Sequence, residues 1–279
     1  MNGFKEILLS FTIAFASLMW LARINEELKT RQRFQPAPEP AAVSGYSDDP
    51  EMKLPPPTRP AGQKPVVVAL IDTGCDINHP DLRSNIWVNA GETGLDEDGN
   101  PKASNGIDDD GNGFVDDVHG WNFVTDSPEL MDEHGHGTHI AGIVGAANGF
   151  APQVSLMILK YFDEGNNGGQ NLRYTVEAIR YATRMGANII NYSGGGILRS
   201  SEEEAALAEA AAHGILVVAA AGNEGMNSDF FHFYPANYNL PNILSVTAVD
   251  QDGRLMDSSN FGRATVDLAP GAQHLFNPA

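Results

Sequence analysis

The chain has 279 residues, enough for one large domain or two small ones at about 150 residues each. Its 17 Lys and Arg oppose 36 Asp and Glu, and the formal net charge of -19 disfavours nucleic acid and anionic membrane surfaces as partners. A single cysteine, Cys75, excludes an internal disulfide and a Cys-based zinc site.

The first element is an uncharged apolar run, Ile7 to Ala22, ended by Arg23. It reads as an export segment. Ala14-Phe15-Ala16 has the small-x-small form of a cleavage site, while Leu18 to Leu21 prolong the run towards the length of a membrane anchor. Residues 1–22 are therefore expected to be a signal peptide or a membrane anchor, and the protein secreted, periplasmic or membrane-anchored. Residues 23–65 are proline-rich, with Pro55-Pro56-Pro57, and predict a stiff, extended linker.

From residue 66 onwards strands and helices alternate. The β-branched apolar run Pro65 to Ile71 has the composition of a buried parallel strand, and Val154 to Phe162, Ala187 to Tyr192, Ile215 to Ala221 and Ile243 to Val249 repeat it. Helices are expected over Gly137 to Ala147, Leu172 to Met185 and Glu202 to His213. Ser201 with Glu204 suggests a capping box for the third, and Gly186 and Gly214 mark the ends of the last two. This order predicts an α/β fold, a three-layer parallel sheet with helices on both faces, which binds ligands outside the carboxyl ends of its strands.

Three segments carry candidate chemistry. Ile71-Asp72-Thr73-Gly74 places a carboxylate at a strand end. His134-Gly135-His136-Gly137-Thr138-His139-Ile140-Ala141-Gly142 opens an apolar helix with a glycine-flanked histidine. Ala221-Gly222-Asn223-Glu224-Gly225 presents an amide side chain after a buried strand. Together with His79-Pro80-Asp81-Leu82, Asn191-Tyr192-Ser193-Gly194-Gly195-Gly196, Tyr234-Pro235-Ala236, Ser259-Asn260-Phe261-Gly262 and Leu268-Ala269-Pro270-Gly271, these resemble the subtilisin-like serine peptidases, the subtilases, over about residues 66 to 273. The resemblance implies a serine endopeptidase acting on polypeptides. His136 would be the general base, Asp72 its orienting carboxylate and Asn223 a donor to the oxyanion. Ser193, Gly194 and Gly195, with a Gly168-Gly169 loop, would bind extended substrate by strand addition. Gly194 stands where the family carries a larger residue.

The Gly-Thr-Ser-Met-Ala type segment that bears the family's nucleophile does not occur among the 279 residues, and Ser193, Ser245, Ser258 and Ser259 fall inside other landmarks. The expectation is an incomplete peptidase domain over 66–279, its C-terminal part missing, inactive as written and with exposed apolar surface where the serine helix would lie. A non-catalytic peptide-binding pseudoprotease is the alternative. A metalloprotein built on His134, His136 and His139 is a further one.

Nine acidic residues lie between Glu92 and Asp117. Asp96-x-Asp98-x-Asn100 is followed by Asp108-x-Asp110-x-Asn112-Gly113-x-x-Asp116, which matches an EF-hand loop through its sixth position and at the ninth but has His119 in place of the bidentate Glu. Asp108, Asp110, Asn112 and Asp116 are thus either a structural calcium site or part of a solvated acidic loop. Asp81 matches a calcium-liganding position of the family, although Ala147 to Pro152 is short where the rest of that site would lie. Cys75 reads as a small core residue rather than a reactive thiol. No organic cofactor is expected.

Overall fold

The computed structural model describes residues 65–250 and 252–269, all within the compact unit 55–279. The export segment expected at 1–22 and nearly all of the linker expected at 23–65 lie outside the described residues. No helix among the described residues is long and apolar enough to cross a membrane.

Six strands form one sheet: β1 (Val67–Asp72), β2 (Gly120–Asn122), β3 (Ser155–Lys160), β4 (Ile189–Tyr192), β5 (Leu216–Ala220) and β6 (Ile243–Val246). Their order is β2-β3-β1-β4-β5-β6, and every pairing is parallel. The helices are α1 (His136–Gly145), α2 (Gly168–Arg184) and α3 (Ser201–Ala212).

Alternation along the strands divides the core in two, as expected of strands covered on both faces. Ala69 and Ile71 of β1 and Met157 and Leu159 of β3 join Val176, Ile179 and Tyr181 of α2 and Ala206, Leu207 and Ala210 of α3 on one face. Val68 and Leu70, with Leu156 and Ile158, meet Ala141 and the half-buried Ile140 and Val144 of α1 on the other. Burial of side chains this large contributes roughly 1.5–3 kcal/mol each, which makes the paired central strands the strongest part of the fold. Towards β5 and β6 the α1 face is less covered. Leu216 is 39% exposed, and Val218, Ala220 and Val246 are only half-buried. The part of this face over β5 and β6 is thus the less covered one.

Several boundaries differ from those expected. Helix α2 begins at Gly168, so Gly168 and Gly169 are its first two residues rather than a loop. Glycine's poor helix propensity hides this start, but Asn167 and Gln170 cap each other reciprocally and supply what the glycines lack. Helix α3 is capped by Ser200, one residue before the expected Ser201, through Glu203 N at 3.2 Å. The Glu203 carboxylate does not close a capping box; it accepts from the Tyr238 hydroxyl at 2.8 Å. Strand β2 is not foreseen at all, because three residues carry no readable period. Gly120, with φ 127°, lets β2 approach β3 so closely that a Cβ there would collide with the Ile158 carbonyl.

Candidate active site

The site assembles at the carboxyl ends of β1, β4 and β5. Asp72 is the last residue of β1 and is 4% exposed. His136 opens α1, and its Nδ1 lies 2.6 Å from Asp72 Oδ1. A carboxylate can only accept in this bond, so Nδ1 carries the proton and Nε2 is left for a reacting group. The hydrogen bond to Asp72 raises the affinity of His136 for a proton above that of an ordinary imidazole. Burial opposes this, and the charges of Asp72 and Asp132 reinforce it.

The pair is held by residues that the motif reading passes over. Asp132 Oδ1 accepts from the Thr73 hydroxyl at 2.8 Å and from Gly135 N at 2.8 Å, and Oδ2 accepts from Thr138 N and the Thr138 hydroxyl, each at 2.8 Å. Thr73 Oγ1 in turn accepts from Gly137 N at 2.9 Å. These bonds satisfy free N–H groups of the first turn of α1 and so take the place of an N-cap side chain, which Gly135 lacks. Burial works against the Asp132 charge, yet the hydrogen bonds from Thr138 and Gly135 hold its carboxyl below the ordinary value. Gly137 has to be glycine: a Cβ there would stand 2.1 Å from the Gly74 carbonyl and 3.1 Å from Asp72 Oδ1. The signal for Asp132 in the sequence is its place four residues before His136, recognisable only once it is known to cap α1.

Asn223 lies in the turn after β5, exposed and with no side-chain hydrogen bond among the described residues. Its loop is clamped by Asn260, which is 2% exposed. Asn260 Nδ2 donates to Ala221 O at 2.9 Å and to Glu224 Oε2 at 2.6 Å, while Oδ1 accepts from Glu224 N at 3.1 Å and Met226 N at 2.9 Å. Asn223 shares with Ile140 of α1, Asn191, Ser193, Val218, Ala220 and Val246 a groove of about 360 Å³. A second cleft of about 420 Å³ lies beside the histidine loop, between Thr73, Glu133 and His134 on one side and Lys160, Phe162, Asp163 and Glu164 on the other.

Ser193 to Gly196 continue β4. Ser193 Oγ accepts from Asn191 Nδ2 at 2.9 Å. Gly196 exchanges backbone bonds with Tyr234 at 2.8 and 2.7 Å, but Gly194 and Gly195 make no backbone bond among the described residues. The glycine at 194 matches its surroundings, since a Cβ there would meet the Tyr161 hydroxyl at 2.2 Å. Tyr161 therefore occupies the space that a larger residue at 194 would need. Gly168 and Gly169 belong to α2, as described above.

Among the described residues, the ligand atoms of His134, His136 and His139 do not converge within 4.8 Å of one another. Among the described residues the one group of converging ligand atoms is Glu92, Asp110 and Asp117. Of the residues expected to hold calcium, only Asp110 is in it. Asp108 accepts from Asn112 N and Gly113 N, Asp110 from Asn112 N, and Asp116 from Gly106 N, all within their own loop. Asp81 is exposed. Cys75 is buried, and burial pushes its thiol up to about 12, as befits an inert core residue.

A strand-end Asp–His pair and an amide-bearing loop thus both lie at the carboxyl ends of the parallel strands of an α/β fold. The model of the Subtilase family matches residues 63–275, and the chain belongs to that family. It is 32% identical over 216 residues to the major intracellular serine protease of Bacillus subtilis (strain 168), covering 75% of this chain and 58% of that protein. It is 30% identical over 212 residues to thermitase of Thermoactinomyces vulgaris, covering 74% and 62%. Among solved structures, a lanthipeptide protease superposes with TM-score 0.55 at 27% identity, over 76% of this chain and 56% of that one. The nisin leader peptidase NisP from Lactococcus lactis gives 0.53 at 26%, over 75% and 62%. The chain thus spans less than two thirds of the length of each of these relatives.

Proposed function

We propose that these residues supply the acid–base and oxyanion-binding part of a serine endopeptidase acting on polypeptides. His136 Nε2 takes the proton of a serine hydroxyl as it attacks the scissile carbonyl, then returns it to the leaving amine. Asp72 holds the productive tautomer and stabilises the imidazolium. Asn223 donates to the oxyanion, an interaction worth about 10²–10³ in turnover when a single such donor is lost. The unpaired peptide groups of Gly194 and Gly195 bind extended substrate by strand addition.

The single observation that carries the reading is the 2.6 Å contact between the buried Asp72 and His136. The Gly-Thr-Ser type segment expected to bear the attacking serine does not occur among the 279 residues. The groove beside Asn223, floored by Val218, Ala220 and Val246, supports the packing of an apolar helix there. Residues 7–22 would serve export or anchoring.

The test compares hydrolysis of an unfolded polypeptide by the 279-residue chain with that by a chain continued through a Gly-Thr-Ser segment and its apolar helix. The first is expected to be inactive and the second active, with His136→Ala abolishing turnover. An inactive but folded continued chain that still binds the polypeptide would instead establish the peptide-binding pseudoprotease.

A further inference from the structure

Glu203 is a buried acid that peptide hydrolysis does not use. It stands in the first turn of α3, 2% exposed, and no ion pair among the described residues reaches it. Its surroundings turn on one hydroxyl. Tyr238 Oη accepts from Ser200 N at 2.9 Å and lies 3.0 Å from Ser200 O and 2.8 Å from Glu203 Oε2. A phenol carries a single proton, and these two oxygens compete for it. While Glu203 is ionised, its carboxylate is the stronger acceptor and the bond to Ser200 O is lost. A proton on Glu203 removes the conflict, because its O–H then donates to Tyr238 and Tyr238 donates to Ser200 O. All three contacts become hydrogen bonds, and no charge is left buried.

The dipole of α3 favours the negative charge in its first turn, but burial outweighs it and raises the Glu203 carboxyl to about 7. Tyr161 beyond β3 and Tyr192 of β4 sense the charge, and Glu204 bears on Tyr238 while pairing with Arg199 at 2.6 Å. Among the described residues of α2 and β5, no charge acts on Glu203.

The same hydroxyl sits beside the segment that leads out of the substrate strand. Gly196 exchanges backbone bonds with Tyr234 at 2.8 and 2.7 Å, and the Tyr234 ring packs on Tyr238 with centroids 4.6 Å apart. Ser200, held by the Tyr238 hydroxyl, is the far end of that segment. Between these two ties Ile197 and Leu198 are 72% and 74% exposed, so the segment has little packing of its own to fix it.

We propose that Glu203 is a proton-operated latch: protonated, it locks residues 196–200 through Tyr238, and ionised, it lets them open. The closed segment holds the proton that the open one gives up to water. Closure is therefore strongest at acid pH and weakens as pH rises through about 7. An open segment presents Gly194 and Gly195 less well, so polypeptide binding weakens with it; this consequence rests on strand addition at those glycines.

The test follows amide exchange of the 279-residue chain at about pH 5.5 and about pH 8.5, corrected for the intrinsic rate at each pH. The amides of Gly196, Ser200 and Tyr234 are expected to lose protection by at least about tenfold across this range. In Glu203→Gln, whose side-chain amide donates as the protonated acid does, their protection is expected to change by less than about threefold. Glu202→Gln, an exposed acid of the same turn, is expected to switch like the parent. Tyr238→Phe is expected to leave the Ser200 amide open at both pH values, because it removes the linking hydroxyl. Casein, as an unfolded polypeptide, is expected to bind the parent more weakly at the higher pH, with Glu203→Gln narrowing that difference. A switch in exchange with no casein binding at either pH would support the latch and overturn strand addition instead. The latch is overturned if the three amides of the parent are equally protected at both pH values. It is equally overturned if Glu203→Gln switches as the parent does, or if Tyr238→Phe leaves the Ser200 amide protected.

Discussion

Replacing Asn260 by Ala removes the clamp on the loop that presents Asn223, and the cost can be worked from its contacts. Four hydrogen bonds vanish: two donated to Ala221 O and Glu224 Oε2, and two accepted from Glu224 N and Met226 N. At about 1 kcal/mol net each, and with the buried Ala221 carbonyl left without this donor, the sum is about 4 kcal/mol. That is a large share of the 5–15 kcal/mol, roughly, by which a domain is stable. Part of the loss is absorbed by local opening of the loop, so urea unfolding of Asn260→Ala is expected to register a drop of about 2–4 kcal/mol. Amide exchange reads the local part. The Glu224 and Met226 amides are expected to exchange at least about tenfold faster, the equivalent of about 1.4 kcal/mol. Asn260→Asp keeps the acceptor for these two amides but turns a carboxylate oxygen towards Ala221 O and the Glu224 carboxylate, so it is expected to destabilise more at neutral pH than at low pH. Unfolding of Asn260→Ala within about 0.5 kcal/mol of the parent, with both amides still protected, would refute the clamp.

Other consequences follow from the titrating groups and the close packing. Burial raises the Glu203 carboxyl to about 7, against a reference of 4.5, despite the Tyr238 hydrogen bond. The folded state therefore holds a proton that the unfolded chain releases, a stabilisation complete below about pH 4.5 and lost as pH rises through about 7. Glu203→Gln is expected to flatten the decline in unfolding free energy between about pH 5 and pH 8, and an unchanged slope would contradict it. His136 is expected to titrate above 6.5 in NMR spectra, and Asp72→Asn to lower that value by removing the carboxylate charge from its hydrogen-bond partner. Gly137→Ala should separate Asp72 from His136, since its methyl group meets the backbone carbonyl of Gly74, and the same NMR titration would then move as in Asp72→Asn.

Much of the fold was legible in the sequence because the central strands are long apolar runs buried on both faces, as at 67–72 and 155–160. Elements defined by contact rather than by period were not. Strand β2 is three residues stitched to β3 by one glycine, and the first turn of α2 hides behind Gly168 and Gly169. Within the site, Asp72, His136 and Asn223 stood out because each sits in a motif at an element boundary. Asp132 and Asn260 act through hydrogen bonds across 59 and 39 residues, to Thr73 and Ala221, which no local pattern reveals. The acidic loop shows the converse. Its linear spacing picks out Asp108, Asp110, Asn112 and Asp116, whereas only the fold brings Glu92, 18 residues before Asp110, beside Asp110 and Asp117.

The central claim, that Asp72, His136 and Asn223 serve a serine supplied from beyond these residues, is tested most directly by labelling with a fluorophosphonate. The 279-residue chain and the native product of its gene would be treated side by side, and the modified residue located by mass spectrometry. The account predicts no label on the 279-residue chain. It predicts a labelled serine outside these residues in the native product, with a rate that falls as His136 is protonated and is lost in His136→Ala. A label on Ser193, Ser258 or another serine of this chain, or a native product that carries the serine segment and stays unlabelled, would contradict it.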